Sequence, residues 1–208
     1  RFMSASGSLL EFRCALITGA SSGLGLEYAR QISPCVETLI LVARREQLLE
    51  KIATNLVADF PHLRIKIFAS DLVRDTERDH LINSLSQADL YPDFLVNNAG
   101  MGDYGEFRSS DWTKTEQMIR LNMEALTHLT HALLPGLIAR QGALLNVSSL
   151  ASVLPIPDFA VYSATKSYVT SFSEALRLEL SDQGVRVLAV CPGPVKTGFG
   201  EIARRGSD

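Results

Sequence analysis

Short apolar runs alternate with segments of helical spacing along almost the whole chain, and this alternation is what most constrains the fold. Predicted strands cover 12–18, 38–43, 64–69, 93–97, 143–148 and 185–191, and predicted helices cover 24–32, 45–59, 75–87, 111–140 and 161–182. Strands that are separated by helices and apolar almost throughout are typical of a parallel sheet covered on both faces. The sequence therefore predicts an α/β fold with a doubly wound, Rossmann-like parallel sheet and helices on both faces.

Length and composition indicate one globular domain. The chain has 208 residues, of which 46% are hydrophobic, so a full core is available. Residues 1–8, where Gly and Ser are frequent around Met3, are expected to be a leader or an expression remnant, and residues 9–208 to form the single domain.

Charge and hydropathy exclude several function classes. The net charge is −3 and the basic residues are scattered, which argues against a nucleic-acid partner. No apolar run approaches the ~18 residues of a membrane span, so we expect no membrane partner and a cytoplasmic location. Neither the three cysteines (Cys14, Cys35 and Cys191) nor the pair His128 and His131 has a complete metal-ligand spacing, so no metal site is expected.

A glycine-rich segment, Gly19-Ala-Ser-Ser-Gly23-Leu-Gly25, follows the first predicted strand and opens the first predicted helix. Glycines in this position let the backbone approach a pyrophosphate, and the free N–H groups of the helix start favour its charge. The alternative is a glycine-rich turn without a ligand. The candidate cofactor-binding residues here are Gly19, Ser21, Ser22, Gly23, Leu24 and Gly25.

The end of the second predicted strand bears on cofactor choice. In dinucleotide-binding folds an acidic residue at this point selects the ribose 2′-hydroxyl of NAD, whereas a cation accommodates the 2′-phosphate of NADP. Here the chain has Ala43 followed by Arg44 and Arg45. This favours NADP(H), although arginines at the start of a surface helix are also common.

Tyr162 and Lys166 are four residues apart at the start of a predicted helix and so lie on one helix face. A lysine charge close to the phenol is expected to lower the pKa of Tyr162 toward the physiological range, where it could exchange a proton with a carbonyl oxygen. The alternative is a chance pair on an exposed helix face.

Taken in order, these segments resemble the short-chain dehydrogenase/reductase family from about Ala15 to Thr197. Within the family pattern, Thr18-Gly19 opens the cofactor turn and Asp71-Leu72 is similar to the adenine contact. Asn97 to Gly100 resembles the cofactor-adjacent segment after the fourth strand. The resemblance adds these cofactor-binding residues: Asp71, Leu72, Asn98, Ala99, Gly100, Pro192, Gly193, Val195 and Thr197.

The resemblance also implies a catalytic tetrad of Asn122, Ser149, Tyr162 and Lys166. It implies that Tyr162 exchanges the proton, that Ser149 holds the substrate oxygen, and that Lys166 binds the nicotinamide ribose and lowers the pKa of Tyr162. Asn122 is expected to hold a water that links Lys166 to solvent. Ser148 competes with Ser149 for the serine role, and the family's usual spacing to the tyrosine favours Ser149.

The expected function is an oxidoreductase that transfers hydride between NADP(H) and a small-molecule carbonyl or alcohol, with a homodimer or homotetramer as the assembly. The chain ends at Asp208, where family members continue with a substrate-covering loop, a helix and a seventh strand, so the catalytic domain is expected to be truncated after its sixth strand. An NADP(H)-binding sensor or scaffold without turnover is the alternative.

Overall fold

The computed structural model describes residues 12–195, together with 2–3, 9–10 and 203. Its main sheet has six strands: β1 (Phe12–Thr18), β2 (Val36–Ala43), β3 (Arg64–Ala69), β4 (Phe94–Asn97), β5 (Ala143–Val147) and β6 (Arg186–Val190). The α-helices are α1 (Gly23–Ile32), α2 (Glu46–Asp59), α3 (Asp75–Gln87), α4 (Trp112–Ile119), α5 (Leu126–Ala139) and α6 (Ala160–Glu179). Phe2–Met3 and Leu9–Leu10 form a separate antiparallel pair.

The six strands are all parallel and stand in the order β3-β2-β1-β4-β5-β6. The order reverses direction between β1 and β4, and in open α/β sheets ligands bind in the crevice at the carboxyl ends of the strands at this reversal. The predicted doubly wound parallel sheet is confirmed, and the fold places the segments that follow β1 and β4 side by side.

Helices cover both faces of the sheet because successive side chains of each strand point to opposite faces. In β1, Cys14 and Leu16 join one apolar cluster with residues of α3 and α5, whereas Ala15 and Ile17 join a second cluster with residues of α1 and α2. These four side chains are almost completely buried, which explains why the strand is apolar throughout.

The predicted helix over 111–140 is divided in the structure. α4 ends at Ile119, a π-helical segment runs over Arg120–Ala125, and α5 begins at Leu126. A π-helical turn inserts one residue into the helical register, and such insertions are frequent at functional sites. Here the segment contains Asn122.

No helix among the described residues is long and apolar enough to cross a membrane. The predicted boundary between residues 8 and 9 and the truncation after the sixth strand stay predictions.

Candidate active site

The turn between β1 and α1 needs its glycines for backbone geometry. Gly19 and Gly23 have φ values of +65° and +55°, which L side chains rarely adopt. A Cβ atom on Gly25 would lie 2.2 Å from the carbonyl oxygen of Gly19 and 2.5 Å from Nδ2 of Asn98. The predicted turn therefore packs directly against the segment after β4.

Hydrogen bonds of Asn98 and Thr18 connect the glycine turn to the segment after β4. Asn98 Nδ2 donates to the carbonyl oxygen of Thr18 at 2.9 Å and to that of Gly19 at 3.3 Å. The backbone N–H groups of Asn98 and Ala99 both donate to Thr18 Oγ1, at 3.0 and 2.9 Å. The family resemblance placed Thr18 at the start of the cofactor turn, but the sequence did not reveal that its hydroxyl group accepts two backbone bonds from the segment after β4.

Arg45 reaches back to the glycine turn. Its Nη2 donates to Ser21 Oγ and to Ser22 Oγ, at 3.0 Å in each case. Arg44 is exposed beside it and Ala43 is buried. The structure thus brings Ser21, Ser22 and both arginines to the same edge of the sheet, as a phosphate-binding group requires.

The turn after β3 lies next to the end of β2, because the Ser70 N–H donates to the carbonyl oxygen of Ala43 at 3.0 Å. Asp71 shapes this turn, since its Oδ1 accepts from the N–H of Val73 at 3.2 Å. Leu72 is buried and lines a small cavity together with Thr18 and Ala99. Asp71 and Leu72 are therefore adjacent to the predicted cofactor turn.

Tyr162 and Ser149 are brought together by the helix α6 and the loop after β5. Their hydroxyl groups form a hydrogen bond, and Tyr162 is only 8% exposed, packed against Phe159 with ring centroids 5.1 Å apart. Burial raises the pKa of Tyr162, and the hydrogen bond with Ser149 opposes that change. The predicted lowering of the Tyr162 pKa is therefore wrong for this structure.

Lys166 lies beside Tyr162 in α6. Its Nζ donates to the carbonyl oxygen of Val147 at 2.8 Å and lies 5.9 Å from the centroid of the Tyr162 ring. Burial lowers the pKa of Lys166 from 10.5 to about 8, which still leaves its ammonium group protonated at neutral pH. Lys166 adjoins the tyrosine as predicted. The direction of the change in the Tyr162 pKa is nevertheless set by burial and not by the charge of Lys166.

Asn122 lies at the junction of three segments. Its Oδ1 accepts from the N–H of Met101 at 3.0 Å, and its Nδ2 donates to Met101 O at 2.9 Å and to Thr165 Oγ1 at 3.0 Å. A Cβ atom on Gly100 would lie 3.3 Å from Asn122 Oδ1 and 3.4 Å from Lys166 Nζ. Asn122 thus adjoins Lys166, and its amide holds the loop after β4 to α6.

Ser148 has a different set of partners from Ser149. Its Oγ donates to the carbonyl oxygen of Lys166 at 2.9 Å and lies 2.7 Å from Thr170 Oγ1, which fixes α6 to β5. Its side chain is buried, whereas Ser149 is only half-buried. The geometry favours Ser149 as the serine that acts with Tyr162.

The segment after β6 runs along the same edge of the sheet. The N–H of Leu150 donates to the carbonyl oxygen of Pro192 at 2.9 Å, which places this segment beside Ser149. A Cβ atom on Gly193 would meet nothing within 4 Å, and Val195 is exposed. Thr197 lies outside the described residues. No group of three or more potential metal ligands occurs among the residues the structure describes.

Together these contacts bring the glycine turn, the segments after β2, β3 and β4, and the Ser149–Tyr162–Lys166 group to one edge of the sheet. The sequence matches the short chain dehydrogenase family over residues 13–207. The chain belongs to this family.

Two relatives illustrate the sequence similarity. A very-long-chain 3-oxoacyl-CoA reductase of Rattus norvegicus is 31% identical over 195 residues, covering 91% of this chain and 62% of the relative. A sulfoacetaldehyde reductase of Chromohalobacter salexigens is 37% identical over 202 residues, covering 94% of this chain and 77% of the relative. The chain thus spans less than two thirds of the length of the rat reductase.

Solved structures agree with the described fold. A short-chain dehydrogenase from Sphingobium yanoikuyae in complex with NADPH is 33% identical with a TM-score of 0.86, over 93% of this chain and 75% of that one. The L-sorbose reductase from Gluconobacter frateurii, complexed with NADPH and L-sorbose, is 30% identical with a TM-score of 0.83, over 91% of this chain and 72% of that one.

Proposed function

We propose that this protein is an NADP(H)-dependent oxidoreductase that interconverts a carbonyl compound and an alcohol. The observation that carries the proposal is the hydrogen-bonded pair Ser149–Tyr162 beside the buried Lys166, at the sheet edge where the glycine turn also lies. Burial raises the pKa of Tyr162, so its phenol stays protonated and has a proton to donate to a carbonyl oxygen.

The residues present fit a dinucleotide. Gly19 and Gly25 let the turn pack closely against Asn98, and Gly23 takes a φ of +55° that L side chains rarely adopt. The N–H groups at the start of α1 favour the charge of a pyrophosphate. Arg44 and Arg45 supply the cations that a 2′-phosphate requires. When bound, the cofactor supplies the hydride that the chain itself lacks.

Two hydroxyl groups of the chain act on the carbonyl oxygen of the substrate. Tyr162 donates its hydroxyl proton to the carbonyl oxygen, and the Ser149 hydroxyl donates a hydrogen bond that stabilises the negative charge developing there. Lys166 is positioned by its hydrogen bond to Val147 O at 2.8 Å and would hold the nicotinamide ribose of a bound cofactor. Asn122 keeps the loop at Met101 and the helix at Thr165 in register, so that Lys166 stays beside Tyr162.

The relatives support the same chemistry. Two of the similar proteins are named as reductases of a 3-oxoacyl-CoA and of sulfoacetaldehyde, and two similar structures contain NADPH. These substrates differ widely, so they support a carbonyl group as the reacting function without selecting one compound.

A side-by-side fluorescence titration with NADPH and NADH tests the cofactor half of the proposal. We expect NADPH to bind about tenfold more tightly or better, because one charge-assisted contact to the 2′-phosphate is worth roughly 1.5–3 kcal/mol. The double variant Arg44→Ala/Arg45→Ala should lose this preference. Equal binding of both nucleotides by the unaltered chain would contradict the NADP(H) assignment.

A panel of aldehydes and ketones tests the chemical half, with NADPH consumption as the signal. Oxidation of NADPH with at least one carbonyl compound is expected. Tight NADPH binding with no turnover across a broad panel would favour the sensor or scaffold instead. The homodimer and the cytoplasmic location stay predictions, and sedimentation of the chain addresses the first.

A further inference from the structure

Arg78 of α3 is a charged side chain in the interior of the protein. Only 2% of it is exposed, which makes it one of the most buried large side chains among the described residues. Removing a guanidinium group from water is costly unless hydrogen bonds and an opposite charge compensate it. The partners of Arg78 therefore indicate what the residue holds in place.

The guanidinium group contacts three separate segments. Its Nη1 donates to the carbonyl oxygens of Leu72 and Val73, at 2.9 and 3.2 Å, in the turn after β3. Its Nη2 donates to the carboxylate of Glu124, in the π-helical segment. Its Nε lies 3.4 Å from Nδ1 of His128 in α5. Arg78 thus ties one turn to the helical stretch that bears Asn122.

The turn held by Arg78 flanks the cofactor crevice. Ser70 at its start is hydrogen-bonded to Ala43, the residue before Arg44 and Arg45, and Leu72 shares a cavity wall with Thr18 and Ala99. In a doubly wound sheet the adenosine ribose lies at the end of the second strand, which is β2 here. The turn is therefore placed to border the adenosine half of a dinucleotide.

We infer that Arg78 is a positioning residue for the cofactor: it fixes the 71–73 turn against which the adenosine half binds, and links that turn to the segment of Asn122. This inference rests on the proposed NADP(H) binding. A planar guanidinium group can serve two carbonyls and one carboxylate at once, whereas a lysine ammonium acts as a single point charge. The geometry of the side chain, and not only its charge, is needed.

The test compares Arg78→Lys with the unaltered 208-residue chain by calorimetric titration with adenosine 2′,5′-bisphosphate, which lacks the nicotinamide half. We expect the Kd of this fragment to rise about five- to tenfold, because the turn loses part of its support. Arg177→Lys is the matched control, since Arg177 forms an exposed pair with Glu174 at 3.0 Å. Its Kd should stay within about twofold of the unaltered value.

A thermal melt of each variant separates positioning from general stability. If Arg78→Lys lowers Tm but binds the fragment as the unaltered chain does, the residue is merely structural and the inference is overturned. If Arg78→Lys does not fold, Glu124→Gln replaces it, because this variant keeps the arginine and its two carbonyl contacts. A rise of about two- to threefold in Kd is then expected, and an unchanged Kd overturns the inference.

Failure of the proposed function gives a different result. In that case the unaltered chain binds neither NADPH nor the adenosine fragment, and the inference falls with the cofactor on which it depends. Binding by the unaltered chain with no effect of either variant overturns the inference alone.

Discussion

The proposed chemistry depends on the hydroxyl group of Tyr162, which donates the proton. Tyr162→Phe removes it while the ring keeps its packing against Phe159. We expect turnover to fall by about 10²- to 10⁴-fold, the usual contribution of a general acid, and the Kd of NADPH to stay within about twofold. Tyr168→Phe, which deletes another hydroxyl of α6 whose described partner is Thr127, should retain turnover. Full activity of Tyr162→Phe would refute the assignment.

The two adjacent serines should respond differently to alanine substitution. Ser149→Ala removes the group that contacts Tyr162 and should lower kcat about 10²-fold or more. It also removes the acceptor of the Ala151 N–H bond at 3.1 Å, so a loss of about 0.5–1 kcal/mol of unfolding free energy is expected. Ser148→Ala removes a bond to Lys166 O and a contact with Thr170, so it should cost about 1–2 kcal/mol of unfolding free energy. Steady-state kinetics and thermal melts on both variants check this. The reverse pattern would assign the catalytic role to Ser148.

Lys166 makes the stability of the protein depend on pH. Its pKa is about 8 in the folded chain and 10.5 in its ordinary state, so between these values the unfolded chain binds more protons and the free energy of unfolding rises with pH. Below about 8 the cost of burying the ammonium group is fully present. We expect the Tm of the unaltered chain, relative to Lys166→Met, to increase from pH 7.5 to 9.5. A difference that is constant over this range would show that the pKa is not lowered.

Spacing predicted the pair Tyr162 and Lys166, and the family resemblance added Ser149 and Asn122, but neither predicted how burial and charge act on the pKa of Tyr162. The sequence places Tyr162 and Lys166 on one helix face, as the structure has them. It could not reveal that Lys166 points its ammonium group at Val147 O, nor that burial outweighs charge for the phenol. Both depend on atoms that are distant in sequence.

At the level of elements, the glycine turn is held by close contact as well as by φ angles. Gly25→Ala would drive a Cβ atom into the carbonyl of Gly19, so we expect a loss of about 1–3 kcal/mol of stability and greatly weakened NADPH binding. Gly136→Ala is the control, because Gly136 lies inside α5 and the nearest atom to its Cβ would be 3.7 Å away. That variant should gain about 0.5–1 kcal/mol. Urea unfolding measures both, and a stable Gly25→Ala would contradict the contact.

The elements themselves were largely predictable, since hydrophobic periodicity reports which faces are buried. The predicted ranges 12–18, 64–69 and 75–87 coincide with β1, β3 and α3. The π-helical segment was missed, because its apolar residues continue the helical pattern of 111–140, whereas what distinguishes it is its i→i+5 backbone hydrogen bonding. Arg78 was missed for a similar reason, as a charged residue in a polar helix predicts an exposed position.

For the whole molecule, the sheet has very different surroundings at its centre and at one edge. β1 is flanked by β2 and β4 and covered on both faces, whereas among the described residues β6 pairs only with β5. Leu188 in β6 is 56% exposed, although its partner in register, Leu145, packs against the cluster on the α1 and α2 face. An apolar edge strand of this kind tends to pair with another chain.

We therefore expect the 208-residue chain to associate as its concentration rises, and Leu188→Lys to reduce this association, because a charged side chain on an edge strand opposes pairing. Leu178→Lys is the matched control, since Leu178 is 65% exposed on α6 and lies away from the strand. Sedimentation velocity over a concentration series distinguishes the variants. If Leu178→Lys rather than Leu188→Lys favours the monomer, the contact surface is on α6 and the edge of the sheet is not the site of association.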